Sequence, residues 1–138
     1  MCTIITREQS KKPDVATENI TVYKFGRKTR VGNFVSPYLD YMYQQDIIKS
    51  TKMTYSDYDG NGASDTVESL WAYANIPIEN KIWVMEGFHA FTTLNRILDH
   101  YPAYKTIAEF IIPQGALYHR NGADNIVSNQ IVFKKFIN

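Results

Sequence analysis

The sequence predicts an α+β domain, a mainly antiparallel β-sheet with two short amphipathic helices. Runs of β-branched and aromatic residues recur along the chain and end at Gly, Asn or Pro, as strands and their turns do. Two segments instead repeat apolar residues at i, i+3, i+4 and i+7, the spacing of one helix face. The 138 residues suit a single domain over residues 1–138, and a hydrophobic share of 44% supplies its core.

The first half of the chain is predicted to be extended apart from its turns. Residues 2–6 form an opening strand, the polar residues 7–13 a loop, and residues 20–25 a second strand that ends at Gly26. The Gly32-Asn33 turn leads into a short return strand at residues 34–35, which places the basic residues before it near a hairpin tip. Residues 41–53 lack helical spacing, so we expect them to be mostly extended.

Two short helices are predicted in the second half of the chain. The first, over residues 67–74, ends before Pro77, and the second, over residues 94–101, follows a threonine N-cap and ends before Pro102. Their apolar faces are Val67, Leu70, Trp71 and Ala74 in the first helix and Leu94, Ile97, Leu98 and Tyr101 in the second.

The remaining segments of the second half are predicted to be strands. They cover residues 82–85, 107–112, 116–118 and 126–133. The first of them leads to Gly87 and His89, where we expect a strand to hand over to a helix. The turn at Asn121-Gly122 joins the last two strands.

Charge and cysteine content exclude several classes of protein. The net charge of +1 and the pI near 7.8 argue against general nucleic-acid binding and against membrane binding. Cys2 is the lone cysteine and cannot form an intramolecular disulfide, and we see neither a leader nor a long apolar run. We therefore expect a soluble, cytoplasmic protein.

An acidic segment matches the twelve-residue calcium loop of the EF-hand. Gly62 stands at its sharp turn, and the Ala63 carbonyl and five side chains would be the oxygen ligands. Those side chains are Asp57, Asp59, Asn61, Asp65 and Glu68. Ser64 replaces the usual aliphatic residue, and the preceding segment resembles a strand rather than a helix. The alternative is an acidic turn followed by an Asp65/Glu68 capping box. Calcium is the one cofactor that the sequence suggests.

Cys2 and the histidines are the candidates for catalysis. Removal of Met1 would expose an N-terminal Cys2 whose own amine could act as base, although Thr3 stands where such enzymes usually carry glycine. The alternative is an inert small hydrophobe. The spacing of the three histidines does not indicate zinc. His89 is predicted to favour an anion at a helix start, or to be a hydrogen-bonded structural histidine.

Two segments interleave aromatic and cationic residues, as stacking on a base and pairing with a phosphate require. Solvated hairpin tips are the alternative. The predicted ligand-binding residues are Tyr23, Phe25, Arg27, Lys28 and Arg30 in the first segment, Tyr118 and Arg120 in the second, and His89.

Four short motifs built from glycine, proline and aromatic residues occur in order along most of the chain. They are Ser36-Pro37-Tyr38, Gly87-Phe88-His89-Ala90-Phe91, Ile112-Pro113-Gln114-Gly115-Ala116-Leu117-Tyr118 and Ile126-Val127-Ser128. In this set the chain resembles small, mostly uncharacterised proteins of phages and bacterial mobile elements. Residues 57–77 look like an insertion relative to the shorter of these proteins. The resemblance implies a stoichiometric anti-defence binder in the host cytoplasm, such as a sponge that sequesters a nucleotide immune signal.

Three functions follow as expectations. The first is a non-enzymatic, homo-oligomeric binding protein for a nucleotide-like anion, favoured because no acid/base pair accompanies the cations and aromatic residues. The second is an interaction or inhibitor module whose tyrosine-rich sheet contacts a host or phage protein. The third is a small enzyme that uses Cys2, or His89 with Glu86 or Asp99.

Overall fold

The structure of the protein is a computed structural model that describes residues 3–37, 41–58, 76–100, 106–122 and 124–137. These residues form thirteen strands, two short helices and one 3-10 turn at Ile78–Asn80. The helices are α1 (Arg7–Lys11) and α2 (Leu94–His100). The strands are β1 (Thr3–Thr6), β2 (Asp14–Val15), β3 (Ile20–Lys28), β4 (Phe34–Val35), β5 (Met42–Tyr43), β6 (Ile48–Ser50), β7 (Thr54–Asp57), β8 (Lys81–Glu86), β9 (Phe88–Phe91), β10 (Thr106–Ile112), β11 (Leu117–Asn121), β12 (Asn125–Ser128) and β13 (Gln130–Phe136).

The strands form a large and a small antiparallel sheet. The large sheet has the order β2-β11-β12-β9-β3-β10-β13-β6, and β4 and β5 continue from β3 at its side. The small sheet has the order β1-β8-β7. The predicted mainly antiparallel sheet is therefore confirmed. No helix in the described ranges is long and apolar enough to cross a membrane.

The main core lies on one face of the large sheet and is rich in aromatic rings. The Phe34 ring lies 5.1 Å from that of Phe110, and the Tyr43 ring lies 5.0 Å from the same phenylalanine, both edge to face. Val22 and Phe110 are register partners on β3 and β10, and both are fully buried. Burial of such rings supplies a large share of the hydrophobic free energy of a domain of this size.

Two smaller cores involve the other face of the large sheet. Ile5 and Val84 of the small sheet pack with Val127 of β12. Near α2, Phe25 stacks on Phe91 with 6.1 Å between ring centroids, and Ile97 of the helix joins this cluster. The small sheet and α2 thus cover different parts of the same face.

Several predicted elements have different bounds in the structure. The predicted loop over residues 7–13 is wrong because Thr6 and Gln9 form a capping box that starts α1. The second strand does not end at Gly26 but continues to Lys28, paired with β4. The closing strand over residues 126–133 is two strands, β12 and β13, separated at Asn129.

The two predicted helices have different outcomes. The helix over residues 94–101 is confirmed as α2, whereas the helix over residues 67–74 lies outside the described residues. No helix starts at His89, so that predicted handover is wrong: Gly87, at φ +154°, joins β8 to a second strand, β9. A side chain at position 87 would bring its Cβ to 2.6 Å from Val127 Cγ2, which explains why glycine fits this connection.

Candidate functional site

The central strands β3 and β9 are register partners at one pair only, Tyr23 and Phe91. Beyond that pair, the carbonyl oxygen of His89 accepts a hydrogen bond from the Nζ atom of Lys24. A lysine side chain thus takes the place of a ladder hydrogen bond where the two strands stop pairing. This gap in the sheet is the candidate site.

Lys24 is a half-buried cation. Its Nζ atom lies 5.8 Å from the centre of the Tyr43 ring, and no carboxylate of the described residues pairs with it. Burial lowers the pKa of the Lys24 ammonium to about 8. Because an ammonium group has three N–H donors, the His89 carbonyl oxygen accepts only one of the hydrogen bonds that Lys24 can donate.

A cavity of about 840 Å³ opens beside this lysine. That volume falls within the range of sites that hold small molecules. Aromatic rings form much of its wall, and its polar side chains are hydroxyl groups, one carboxylate, one imidazole and the lysine itself. The lining residues are Lys24, Phe25, Ser36, Pro37, Tyr41, Tyr43, Ser50, Thr51, Met85, Glu86, Gly87, Phe88, His89 and Phe91.

The aromatic wall comes from several parts of the fold. Tyr41 and Tyr43 lie with ring centroids 4.9 Å apart, and the Phe88 ring lies 6.1 Å from Tyr41. Burial, aided by Tyr41, raises the pKa of Tyr43 well above its usual range, so its phenol stays neutral. Apolar rings beside one buried cation can hold a planar group and an anionic group of the same molecule.

His89 lies in β9 and contributes a neutral imidazole. Its Nδ1 atom lies 2.8 Å from Thr3 Oγ1 on the small sheet. Burial is the main cause that lowers the pKa of His89 to about 3, and the positive charge of Lys24 lowers it further. The side chain is therefore uncharged at neutral pH and contributes hydrogen bonding rather than positive charge.

The eight predicted ligand-binding residues do not form one site. Phe25 and His89 line the cavity, and Tyr23 packs in the cluster around Phe25. Arg27, Lys28 and Arg30 are exposed at the end of the β3–β4 hairpin, where Lys28 lies over the Phe136 ring. Tyr118 and Arg120 lie on β11, with Arg120 over the Tyr118 ring. Two strands separate β11 from β3, a distance of roughly 14 Å across the sheet.

The predicted calcium loop is described at its first position only. Asp57 ends β7, and its carboxylate accepts a hydrogen bond of 2.9 Å from Arg7. The other four side-chain ligands, Asp59, Asn61, Asp65 and Glu68, lie outside the described residues. Within the described ranges, no group of three or more His, Cys, Asp or Glu side chains is placed to hold a metal ion.

The candidate residues of the third hypothesis, a small enzyme, are described in part. Cys2 and the side chain of Asp99 lie outside the described residues. Glu86 lines the cavity as an exposed side chain, and no hydrogen bond joins it to His89. The geometry thus gives His89 a hydroxyl partner rather than a carboxylate partner.

Lys24 is the site residue that sequence reasoning missed, together with Tyr41 and Tyr43. A signal for Lys24 was present, because it alternates with Tyr23 and Phe25 and so shares a strand face with Val22. A lysine on the same strand face as a fully buried valine requires a physical explanation. The contribution of the two tyrosines depends on how β5 folds against β4, which no local pattern encodes.

Comparisons of the chain with protein-family models, with curated proteins and with solved structures find no match.

Proposed function

We propose that the protein is a non-enzymatic binding protein that holds a nucleotide-like anion in the cavity beside Lys24. The observation that carries this proposal is the half-buried Lys24 ammonium group at the wall of a cavity, which has no carboxylate partner among the described residues. An anionic ligand would supply the negative charge that balances the ammonium group, and it would accept hydrogen bonds from the other N–H donors.

The surroundings of Lys24 favour a ligand with a planar part. Tyr41, Tyr43 and Phe88 form one aromatic wall, on which a base can stack while its phosphate reaches the ammonium. Phe25 and His89 remain from the ligand-binding set predicted from sequence. The exposed cations of the hairpin have no part in this site.

A stoichiometric role agrees with the chemistry of the cavity. Its described wall holds no hydrogen-bonded acid/base pair, and His89 is neutral. Together with the resemblance to phage proteins, this supports a sponge that binds a nucleotide signal and releases it unchanged.

Titration of the full chain with a panel of mononucleotides, cyclic nucleotides and ADP-ribose tests the proposal. Calorimetry would measure affinity, and native mass spectrometry would measure stoichiometry and the mass of the released ligand. We expect saturable binding of at least one panel member, which is recovered intact. Lys24→Met should weaken that binding by about tenfold to a hundredfold, the value of one or two charge-assisted hydrogen bonds.

Lys28→Met is the matched control, because Lys28 lies on the same strand but is exposed at the hairpin end. It should leave the affinity unchanged. Absence of binding across the panel, or equal affinities of the native protein and Lys24→Met, would refute the proposed function.

A protein-interaction module is the second candidate function. Met42, Ile47 and Ile48 are 46%, 48% and 57% exposed, and β6 is an edge strand among the described strands of the large sheet. Exposed apolar residues beside an unpaired strand edge are typical of surfaces that receive another chain. If Ile48→Lys abolished a specific complex while nucleotides failed to bind, this second function would replace the first.

A further inference from the structure

We propose that Lys24 is a covalent carbonyl-capture site, whose amine condenses with the aldehyde of a planar aromatic ligand held in the cavity. This inference uses the cavity of the proposed function but does not require the ligand to be a nucleotide.

The position of the amine is the first argument. One N–H of Lys24 donates to the His89 carbonyl oxygen, and the side chain lines the cavity. When the amine is neutral and one N–H donates to the His89 carbonyl oxygen, the lone pair of the Lys24 nitrogen points away from that oxygen. The lone pair is the group that attacks a carbonyl carbon.

The charges around Lys24 are the second argument. The titratable groups near it are His89, Tyr43, Tyr41 and, at the cavity wall, Glu86. His89 and Tyr43 are neutral, and Glu86 forms no ion pair with Lys24. Burial lowers the pKa of Lys24 to about 8, so about a tenth of its amine is neutral at pH 7, far more than in an ordinary lysine. Desolvated lysines of this kind are the ones that form Schiff bases.

The reaction needs no further reagent. The amine nitrogen forms a bond to the carbonyl carbon while the carbonyl π pair moves to oxygen. A proton then passes from nitrogen to that oxygen through water, which gives a carbinolamine. Loss of one water leaves the imine, so that amine and aldehyde give imine and water.

The cavity wall selects the class of carbonyl compound. Tyr41, Tyr43 and Phe88 surround the space beside the amine with aromatic rings. An aldehyde on a flat aromatic ring can pack against them while its carbonyl carbon approaches the Nζ atom. Aliphatic aldehydes lack this contact and should react more slowly.

Reductive trapping of the full chain tests the inference directly. The protein would be incubated with limiting salicylaldehyde or pyridoxal 5′-phosphate, reduced with cyanoborohydride, and digested for peptide mass spectrometry. We expect Lys24 to be labelled about tenfold faster than exposed lysines such as Lys28 and Lys135, because more of its amine is neutral. Its labelling should saturate with aldehyde and increase with pH up to about 8.

Three outcomes separate this inference from the proposed function. Labelling spread evenly over the lysines, or absent from Lys24, would overturn carbonyl capture even if a nucleotide binds in a Lys24-dependent manner. Selective, saturable labelling of Lys24 without nucleotide binding would support capture and refute the nucleotide proposal. Labelling of Lys24 that a bound nucleotide prevents would support both. The native chain is the reagent throughout, so no result depends on whether a variant folds.

Discussion

His89 and His119 lie in one row of the large sheet, on either side of Val127. His89 on β9 and His119 on β11 are both register partners of Val127 on β12, so the three side chains share one face. Each histidine also contacts the small sheet: His89 Nδ1 lies 2.8 Å from Thr3 Oγ1, and His119 Nε2 lies 2.7 Å from the Tyr55 hydroxyl. One half-buried and one fully buried imidazole therefore join the small sheet to the large one.

Acid should destabilise the protein through these two histidines. Burial lowers the pKa of His89 to about 3 and also lowers that of His119, although Asp14 opposes the shift at His119. Below the unfolded pKa near 6.5 the unfolded chain binds protons that the folded chain excludes. The free energy of unfolding should thus be greatest above pH 7. As the pH decreases from 6.5 towards the pKa of each histidine in the folded protein, the free energy of unfolding should fall by up to about 1.4 kcal/mol per pH unit for each histidine.

Urea unfolding between pH 7.5 and 5.5 measures this dependence. His89→Gln and His119→Gln cannot take up a proton, so each variant should lose one histidine's share of the pH slope. An unchanged slope in the double variant would contradict the assignment to these residues.

Gly26→Ala should destabilise the β3–β4 hairpin although it adds one methyl group. A Cβ at position 26 would overlap the carbonyl oxygen of Val35 and lie 2.7 Å from Phe34 Cζ. Because one of these atoms belongs to backbone and the other to a fully buried ring, neither can move cheaply. We expect a loss of about 1 to 3 kcal/mol in the free energy of unfolding, measured by denaturant titration. Lys28→Ala, an exposed change on the same strand, should have little effect.

The sequence predicted strands better than it predicted the site, for physical reasons. Runs of β-branched and aromatic residues identified β3 and β10, and i, i+3, i+4, i+7 spacing identified α2, because both patterns reflect local conformational preference. The Thr6–Gln9 capping box, which starts a helix of only five residues, was not predicted. The cavity depends on where β3 and β9 stop pairing, which is decided by tertiary packing.

Local composition also did not show which of the predicted cations lie close together in the fold. Arg27 and Arg120 both looked like phosphate ligands, yet β12 and β9 separate their strands. Lys24 belonged to the same basic segment, but it lies two residues after Val22 and so shares the face of the main core. Register rather than local charge density therefore decides which cation lines a cavity.

Phe34→Ala should be among the most destabilising single substitutions in the described core. The Phe34 ring is fully buried and lies 5.1 Å from the Phe110 ring and 6.0 Å from the Phe133 ring. Loss of these contacts and the resulting cavity should cost about 3 to 5 kcal/mol, measured by thermal and urea unfolding. Val31→Ala, at a position 82% exposed in the adjacent turn, should change stability by less than about 0.5 kcal/mol. Similar costs for the two variants would show that this aromatic cluster does not hold the core together.

Thr6→Ala should weaken the start of α1. The Thr6 hydroxyl accepts a hydrogen bond of 3.1 Å from the Gln9 backbone N–H, and the Gln9 side chain accepts one of 2.8 Å from the Thr6 backbone N–H. Loss of such a cap costs about 0.5 to 2 kcal/mol. Glu8→Ala, an exposed change in the same helix, is the control. Faster amide hydrogen exchange over residues 7–11 in Thr6→Ala alone would locate the effect, and equal exchange in both variants would contradict it.

Lys24→Met should change how the free energy of unfolding depends on pH, because the native lysine is half-buried. Because the folded pKa is about 8 and the ordinary value 10.5, the unfolded chain binds a proton between these limits that the folded chain has released. The stability of the native protein should therefore rise with pH across this window, by up to about 1.4 kcal/mol per unit. Methionine has nearly the same shape but no proton to release, so the free energy of unfolding of Lys24→Met should lack this rise.

Urea unfolding of the native protein, Lys24→Met and the exposed control Lys28→Met at pH 7.5, 8.5 and 9.5 measures the difference. We expect the free energies of unfolding of the native protein and of Lys28→Met to rise in parallel with pH, and that of Lys24→Met to lack this rise. Parallel curves for all three proteins would mean that Lys24 keeps an ordinary ammonium, and both the anion site and the imine site would lose their physical basis.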